Sequence, residues 1–194
     1  RVIAILRASD ADVAIERGEE LVALGCRALE VTLDSAGFER VLAELAGRVG
    51  DRCAVGVGTV MARAQVARVA ELGATFALSP ANPPGMIEDC LAAGVVPVPA
   101  AFSPQEMLAC AAAGADTIKV FPAQLWTPAT LKDLRAIGSF GALKLCPSGG
   151  VTPDNARAWF DHGAHAVGMG SNLVGGDVRA APGSEAFRAA RAAW

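Results

Sequence analysis

The stretch SPQEMLACAAAGADTIKVFP, residues 103–122, reads as a helix followed by a strand. Ser103-Pro104 is a helix cap followed by a first-turn proline. Apolar residues then recur at helical spacing as far as Gly114, the expected helix stop. TIKVFP (117–122) is short, rich in β-branched residues and apolar apart from one charge, the pattern of a buried strand. A helix that feeds a buried strand through a glycine turn is part of a parallel crossover. How often this unit recurs decides the fold.

It recurs along the whole chain. VIAIL (2–6) precedes a helix expected from near Ser9, and ALEVTL (28–33), CAVGVGT (53–59), FALSP (76–80) and VVPVPA (95–100) follow as strands. Beyond TIKVFP come LKLCPS (143–148) and AVGMGS (166–171). Between them lie helical segments such as ARAQVARVAELG (62–73), and Thr127-Pro128 and Thr152-Pro153 repeat the cap-plus-proline signature. The strands are spaced by roughly 20–26 residues, room for one crossover helix each. Eight such units predict an α/β protein, a single closed (β/α)8 TIM barrel domain over residues 1–194. A doubly wound open sheet is the alternative, but no GxGxxG follows the first strand. No linker or low-complexity stretch interrupts the pattern.

Composition narrows the function. Hydrophobic residues make up 53% of the chain, so burial is plentiful and disorder is not expected. No apolar run reaches the ~18 residues of a membrane span. No signal peptide is evident, and Arg1 in first place is read as pointing to residues missing before it. The net charge of −3, with no basic stripe, argues against nucleic acid as a partner. The five cysteines (Cys26, Cys53, Cys90, Cys110, Cys146) form no CxxC pair and read as reduced, buried thiols of a cytoplasmic protein.

Active sites of such barrels sit at the C-terminal ends of the strands. The polar residues expected there are Arg7, Glu30, Thr32, Asp34, Thr59, Lys119, Ser148-Gly149-Gly150 and Gly170-Ser171-Asn172. Strand side chains alternate, so Thr117, Lys119 and Phe121 share one face and Ile118 and Val120 the other. Glu30 likewise shares a face with Ala28 and Thr32, against Leu29, Val31 and Leu33. The aliphatic faces suit the helix layer, which turns Lys119 and Glu30 inward. In a desolvated site an amine is driven towards its neutral, nucleophilic form. Such a lysine can attack a carbonyl and form a Schiff base, and a nearby carboxylate can carry the protons.

The other lysines fit less well. Lys144 comes early in its strand, at the opposite end, and Lys132 falls in a helix with solvent exposure expected. The glycine loops PSGGV (147–151) and GMGSN (168–172) follow the seventh and eighth strands, where phosphate sites recur. The second loop could open a short helix favourable to an anion. His162 and His165 precede the eighth strand, at the wrong end for catalysis, and read as surface residues.

LEVTL around Glu30, GVGTV around Thr59, IKVFPA around Lys119 and CPSGGVTPDN (146–155) occur in this order. Together they resemble the family of 2-keto-3-deoxy-6-phosphogluconate, 2-keto-3-deoxy-6-phosphogalactonate and 4-hydroxy-2-oxoglutarate aldolases. The resemblance implies a class I pyruvate aldolase of (β/α)8 fold, a homotrimer needing no metal or other cofactor. It implies Lys119 as the Schiff-base lysine and Glu30 as the general acid/base. Thr59 and Ser148 would hold the pyruvate end, and Gly149, Gly150, Gly170 and Ser171 the phosphate. The partners implied are a phosphorylated keto acid and pyruvate.

One departure stands out. Gluconate-type members commonly carry an arginine after EVTL, where this chain has Asp34. Galactonate-type members have EIPLNS with an AILR first strand, and AILR is present here, ending in Arg7. Arg7 is therefore expected to clamp the carboxylate, and the C4 stereochemistry of the substrate stays open. Two other readings compete. A metal-dependent sugar-phosphate epimerase or isomerase would need histidines at strand C-termini, which the sequence lacks. A non-catalytic sugar-phosphate-binding barrel would bind a phosphorylated acid but form no imine.

Overall fold

The structure is a computed structural model and describes residues 1–174. The C-terminal EAFRAARAAW segment (185–194), a candidate amphipathic helix whose packing partner the periodicity does not choose, lies outside the described residues.

The strands are β1 (Val2–Leu6), β2 (Ala28–Thr32), β3 (Ala54–Gly58), β4 (Phe76–Leu78) and β5 (Val96–Val98). They continue with β6 (Ala100–Ala101), β7 (Thr117–Val120), β8 (Lys144–Pro147) and β9 (Val167–Met169). Six form a parallel sheet in the order β5-β4-β3-β2-β1-β9, and three form a second parallel sheet, β6-β7-β8.

This corrects the expectation of a closed eight-stranded (β/α)8 TIM barrel. The expected fifth strand, 95–100, is two strands, and the division falls at Pro99. Pro97 and Pro99 have no amide hydrogen to give to a ladder. As a result β5 pairs with β4 alone, and β6 with β7 alone. At the other seam an isolated parallel bridge joins Ser148, just past the end of β8, to Gly168 in the middle of β9. The sheets therefore form an open, split arrangement rather than one continuous closed ladder.

The helical units fall where the periodicity predicts, trimmed at their ends. The helices are α1 (Ala11–Ala23), α2 (Phe38–Val49), α3 (Ala64–Glu71), α4 (Met86–Ala92) and α5 (Pro104–Ala112). After these come α6 (Pro128–Arg135), α7 (Gly138–Gly141), α8 (Pro153–Asp161) and α9 (Ser171–Val174). In α5 the Ser103 hydroxyl accepts from the Glu106 amide at 3.3 Å, and the Glu106 carboxylate accepts from the Ser103 amide at 2.8 Å. The reciprocal pair satisfies two amides that the first turn leaves without helical partners. Ser103→Ala is expected to cost about 1 kcal/mol, measurable as a lower urea midpoint with an unchanged slope.

Two apolar clusters hold the fold. The larger lies between helices and strands and includes Leu29, Val31, Ile118 and Val120, the faces assigned to the helix layer from alternation. The smaller joins Ile3, Phe76, Leu78, Val98 and Cys146, side chains drawn from both sheets. Ile3 lies two residues before Ile5, on the same face of β1, and Ile5 lines the cavity described below. All five cysteines are buried and free. Among the described residues no helix is long and apolar enough to cross a membrane.

Candidate active site

A cavity of about 380 Å³ opens at the C-terminal ends of the strands. The residues given binding or catalytic roles from the sequence line it, Arg7, Glu30, Thr59, Lys119, Ser148, Gly149, Gly150, Gly170 and Ser171, whereas Thr32 and Asp34, also expected at this end of the strands, do not. The cavity thus draws on both sheets, Glu30 from β2 and Lys119 from β7.

Register and alternation explain why these two charges meet. Glu30 pairs with Ile5 of β1 and Gly56 of β3, while Lys119 pairs with Ala100 of β6 and Cys146 of β8. Each sits within its strand with aliphatic neighbours turned to the helices, which leaves both side chains facing the cavity. Glu30 is 2% exposed and Lys119 6%. The Lys119 ammonium lies 4.8 Å from the centre of the Phe121 ring, a cation–π contact. No ion pair or hydrogen bond joins Lys119 to Glu30 among the described residues, although the two lie within electrostatic range. That spacing suits two groups that act on one ligand.

Burial holds the Glu30 carboxyl above the usual carboxylate range. Lys119 and Arg7 pull in the opposite direction, Asp34 adds to the rise, and desolvation outweighs the rest. The Oε2 atom of Glu30 has no hydrogen-bond partner in the protein. Such a group is costly to keep, so its persistence points to use. Cys146, beside Lys119 in register, offers no competing nucleophile, because burial pushes its thiol up to about 12.

Thr59 is the one non-glycine residue with positive φ among those described, at 65°. For a β-branched side chain this is a strained conformation, of the kind that clusters at ligand sites. Its hydroxyl faces Arg7 Nη2 at 3.5 Å, and Arg7 Nε donates to Asp34 Oδ1 at 3.3 Å. Ser148 is buried, and its hydroxyl crowds Gly168, where an added Cβ would stand 2.6 Å from Oγ. Gly149 and Gly150 both take left-handed backbone (φ 86° and 80°), which a larger residue would adopt only under strain. Ser171 opens α9, as the loop reading anticipates.

The remaining residues also fall as expected. Lys144 pairs with Asp116 at the start of β8, far along the strand from the cavity, and Lys132 is exposed on α6. His165 is exposed, and His162 lies against the Ala158 carbonyl at the end of α8. No three metal-ligating side chains come together among the described residues.

Sequence reasoning missed Gly58. A Cβ built there would stand 1.7 Å from Glu30 Oε1, so the carboxylate occupies space that only glycine leaves. The signal was present: a glycine inside a strand marks close approach by a neighbour. Gly58→Ala is expected to displace the Glu30 carboxylate and lower turnover by roughly a hundredfold, the effect of about 1 Å of misplacement. Steady-state rates on protein with a native circular dichroism spectrum check this.

Comparison with known proteins identifies the family. The sequence profile described as "Aldolase: KDPG and KHG aldolase" matches residues 1–186. The probable 2-dehydro-3-deoxy-6-phosphogalactonate aldolase of Rhizobium meliloti (strain 1021) is 34% identical over 183 residues, covering 92% of this chain and 86% of that protein. The solved "Native KDPGal structure" superposes with a TM-score of 0.91 at 28% identity, covering 99% of this chain and 93% of that one. KDPG aldolase from Legionella pneumophila, solved with pyruvate captured at low pH as a covalent carbinolamine intermediate, gives a TM-score of 0.86 at 26% identity, covering 99% and 93%. The chain belongs to the KDPG and KHG aldolase family, a family of carbon–carbon lyases.

Proposed function

We propose that this protein is a class I aldolase that reversibly cleaves a 2-keto-3-deoxy-6-phospho sugar acid, of the gluconate or galactonate type, to pyruvate and glyceraldehyde 3-phosphate. The observation that carries the proposal is the burial of Lys119 and Glu30 in one cavity, each delivered by a different sheet.

The Lys119 amine adds to the C2 carbonyl to give a carbinolamine, which loses water to form an iminium ion. Glu30 takes the proton of the C4 hydroxyl, directly or through water. The C3–C4 bond breaks, its electron pair moves into the iminium to give an enamine, and the aldehyde leaves. Glu30 returns a proton to C3, and water then hydrolyses the pyruvate imine and frees Lys119.

Arg7 clamps the carboxylate, with Thr59 and Ser148 holding the pyruvate end. Gly149, Gly150, Gly170 and Ser171 receive the phosphate through backbone amides and a hydroxyl. Fixing both ends of the substrate sets the scissile bond over the imine, the positioning contribution to rate. The enzyme works in the cytoplasm as a homotrimer, a reading supported by the sequence resemblance.

Pyruvate release from both C4 epimers and from 4-hydroxy-2-oxoglutarate, coupled to lactate dehydrogenase, tests the proposal. Release from at least one phosphorylated acid, faster than from the unphosphorylated one, is expected. No release from any of the three would refute it.

A further inference from the structure

The Arg7 guanidinium is the most solvent-open of the charged groups assigned to the site, its side chain 63% exposed. A long, exposed arginine carries about 2 kcal/mol of rotamer entropy, so a useful clamp must be held in place. Two contacts do so. Nε donates to Asp34 Oδ1 at 3.3 Å and Nη2 faces Thr59 Oγ1 at 3.5 Å. They leave Nη1 without a hydrogen bond or ion pair among the described residues.

Asp34 in turn stands on a turn stitched to the backbone on either side of Arg7. The Thr32 and Ser35 hydroxyls, both buried, lie 2.9 Å apart and each stands 3.4 Å from the Leu6 carbonyl, so one donates to the other and the second donates to that carbonyl. The Ala8 amide donates to Ser35 Oγ at 3.2 Å, and the Ala36 amide to the Ala8 carbonyl at 3.0 Å. Leu6 and Ala8 flank Arg7, so the TLDS turn (32–35) and the arginine form one rigid unit. An exposed Arg–Asp pair contributes little to stability. The hydroxyl network below it is an elaborate support for a pair with so small a structural return.

We propose that Asp34 is a positioning residue for the aldol reaction, anchoring Arg7 Nε so that the guanidinium stands beside Thr59 with its outer end free for the substrate carboxylate. The inference rests on the reading of Arg7 as the carboxylate clamp. It gives a role to the residue that departs from both branches of the family. Asp34 acts through Arg7 and does not itself touch the substrate.

The test uses pyruvate alone and the concentration that gives half-maximal borohydride trapping on Lys119. Asp34→Ala is expected to raise it about tenfold, the loss of one charge-assisted hydrogen bond's worth of positioning. The maximal extent of trapping and the thermal midpoint should stay unchanged. Asp34→Asn keeps the acceptor oxygen and should recover most of the affinity. Arg7→Ala should be at least as impaired as Asp34→Ala, and the double variant no worse than Arg7→Ala.

A normal half-maximal concentration for Asp34→Ala beside a raised one for Arg7→Ala would overturn the inference and leave the clamp standing. Asp34→Asn as impaired as Asp34→Ala would also overturn it. Normal values for both Arg7→Ala and Asp34→Ala would remove the clamp and the inference together. No adduct in the unmodified protein would remove the proposed function itself.

Discussion

Lys119→Ala is expected to reduce pyruvate release by at least ~10⁴-fold, the scale seen when a covalent nucleophile is removed from residues that act as a unit. The side chain is 6% exposed in mid-strand, so a cavity of modest size replaces it and the fold should persist. Its contact with the Phe121 ring, at 4.8 Å, is a desolvated cation–π pair whose loss costs about 2 kcal/mol. Loss of activity with a native circular dichroism spectrum would therefore report chemistry rather than unfolding. Lys119→Arg should be as inactive, because a guanidinium cannot supply a neutral amine. Neither Lys144 nor Lys132 can substitute, since one is paired with Asp116 outside the cavity and the other is exposed on α6. Activity within tenfold of the unmodified protein would exclude the imine mechanism at this residue.

Glu30→Gln is expected to lower turnover by on the order of 10³-fold, within the range for loss of a positioned general acid/base. The amide keeps the shape of the carboxylate beside Gly58, so imine formation with pyruvate should be affected less than aldol cleavage. The same substitution carries a stability signature. The Glu30 carboxyl sits above its unfolded value because desolvation penalises the charge. Between the unfolded value, near ~4.3, and the raised folded value, the native state holds the proton more tightly than the unfolded state. The stability contribution of the protonated form is thus fully present below that window and is lost as pH rises through it. Glu30→Gln, which cannot ionise, should gain stability relative to the unmodified protein as pH rises from about 4 towards neutrality. Thermal midpoints across this range check the sign. A relative loss over the same interval would mean that Lys119 and Arg7 outweigh burial.

Which residues share the cavity was far easier to read than the closure of the sheets. Lys119 and Glu30 stand out because a charge in an apolar strand is expensive, and a period of two settles which face it takes. The glycine loops are legible as tight turns at the ends of β8 and β9, and it is their place after the last two strands that suggests an anion site. The seam at Pro99 was harder. VVPVPA has the hydropathy of one buried strand, and the two missing amide hydrogens do not register in an apolar pattern. The last strand was overextended to 171 because Ser171 belongs to α9, and a short helix leaves little periodic signal. Gly58 and the Arg7–Asp34 pair depend on loops and strands far apart in sequence, 27 residues for the ion pair. Local patterning holds no record of such contacts, whereas the register between strands creates them.

The most direct test of the central claim is borohydride reduction in the presence of pyruvate, followed by intact mass and peptide mapping. The account predicts one reduced pyruvate adduct per chain, on the peptide containing Lys119, and none in Lys119→Ala. A folded protein that gives no adduct, or an adduct confined to Lys144 or Lys132, would contradict it. Lys119 would then be a buried charge without covalent chemistry.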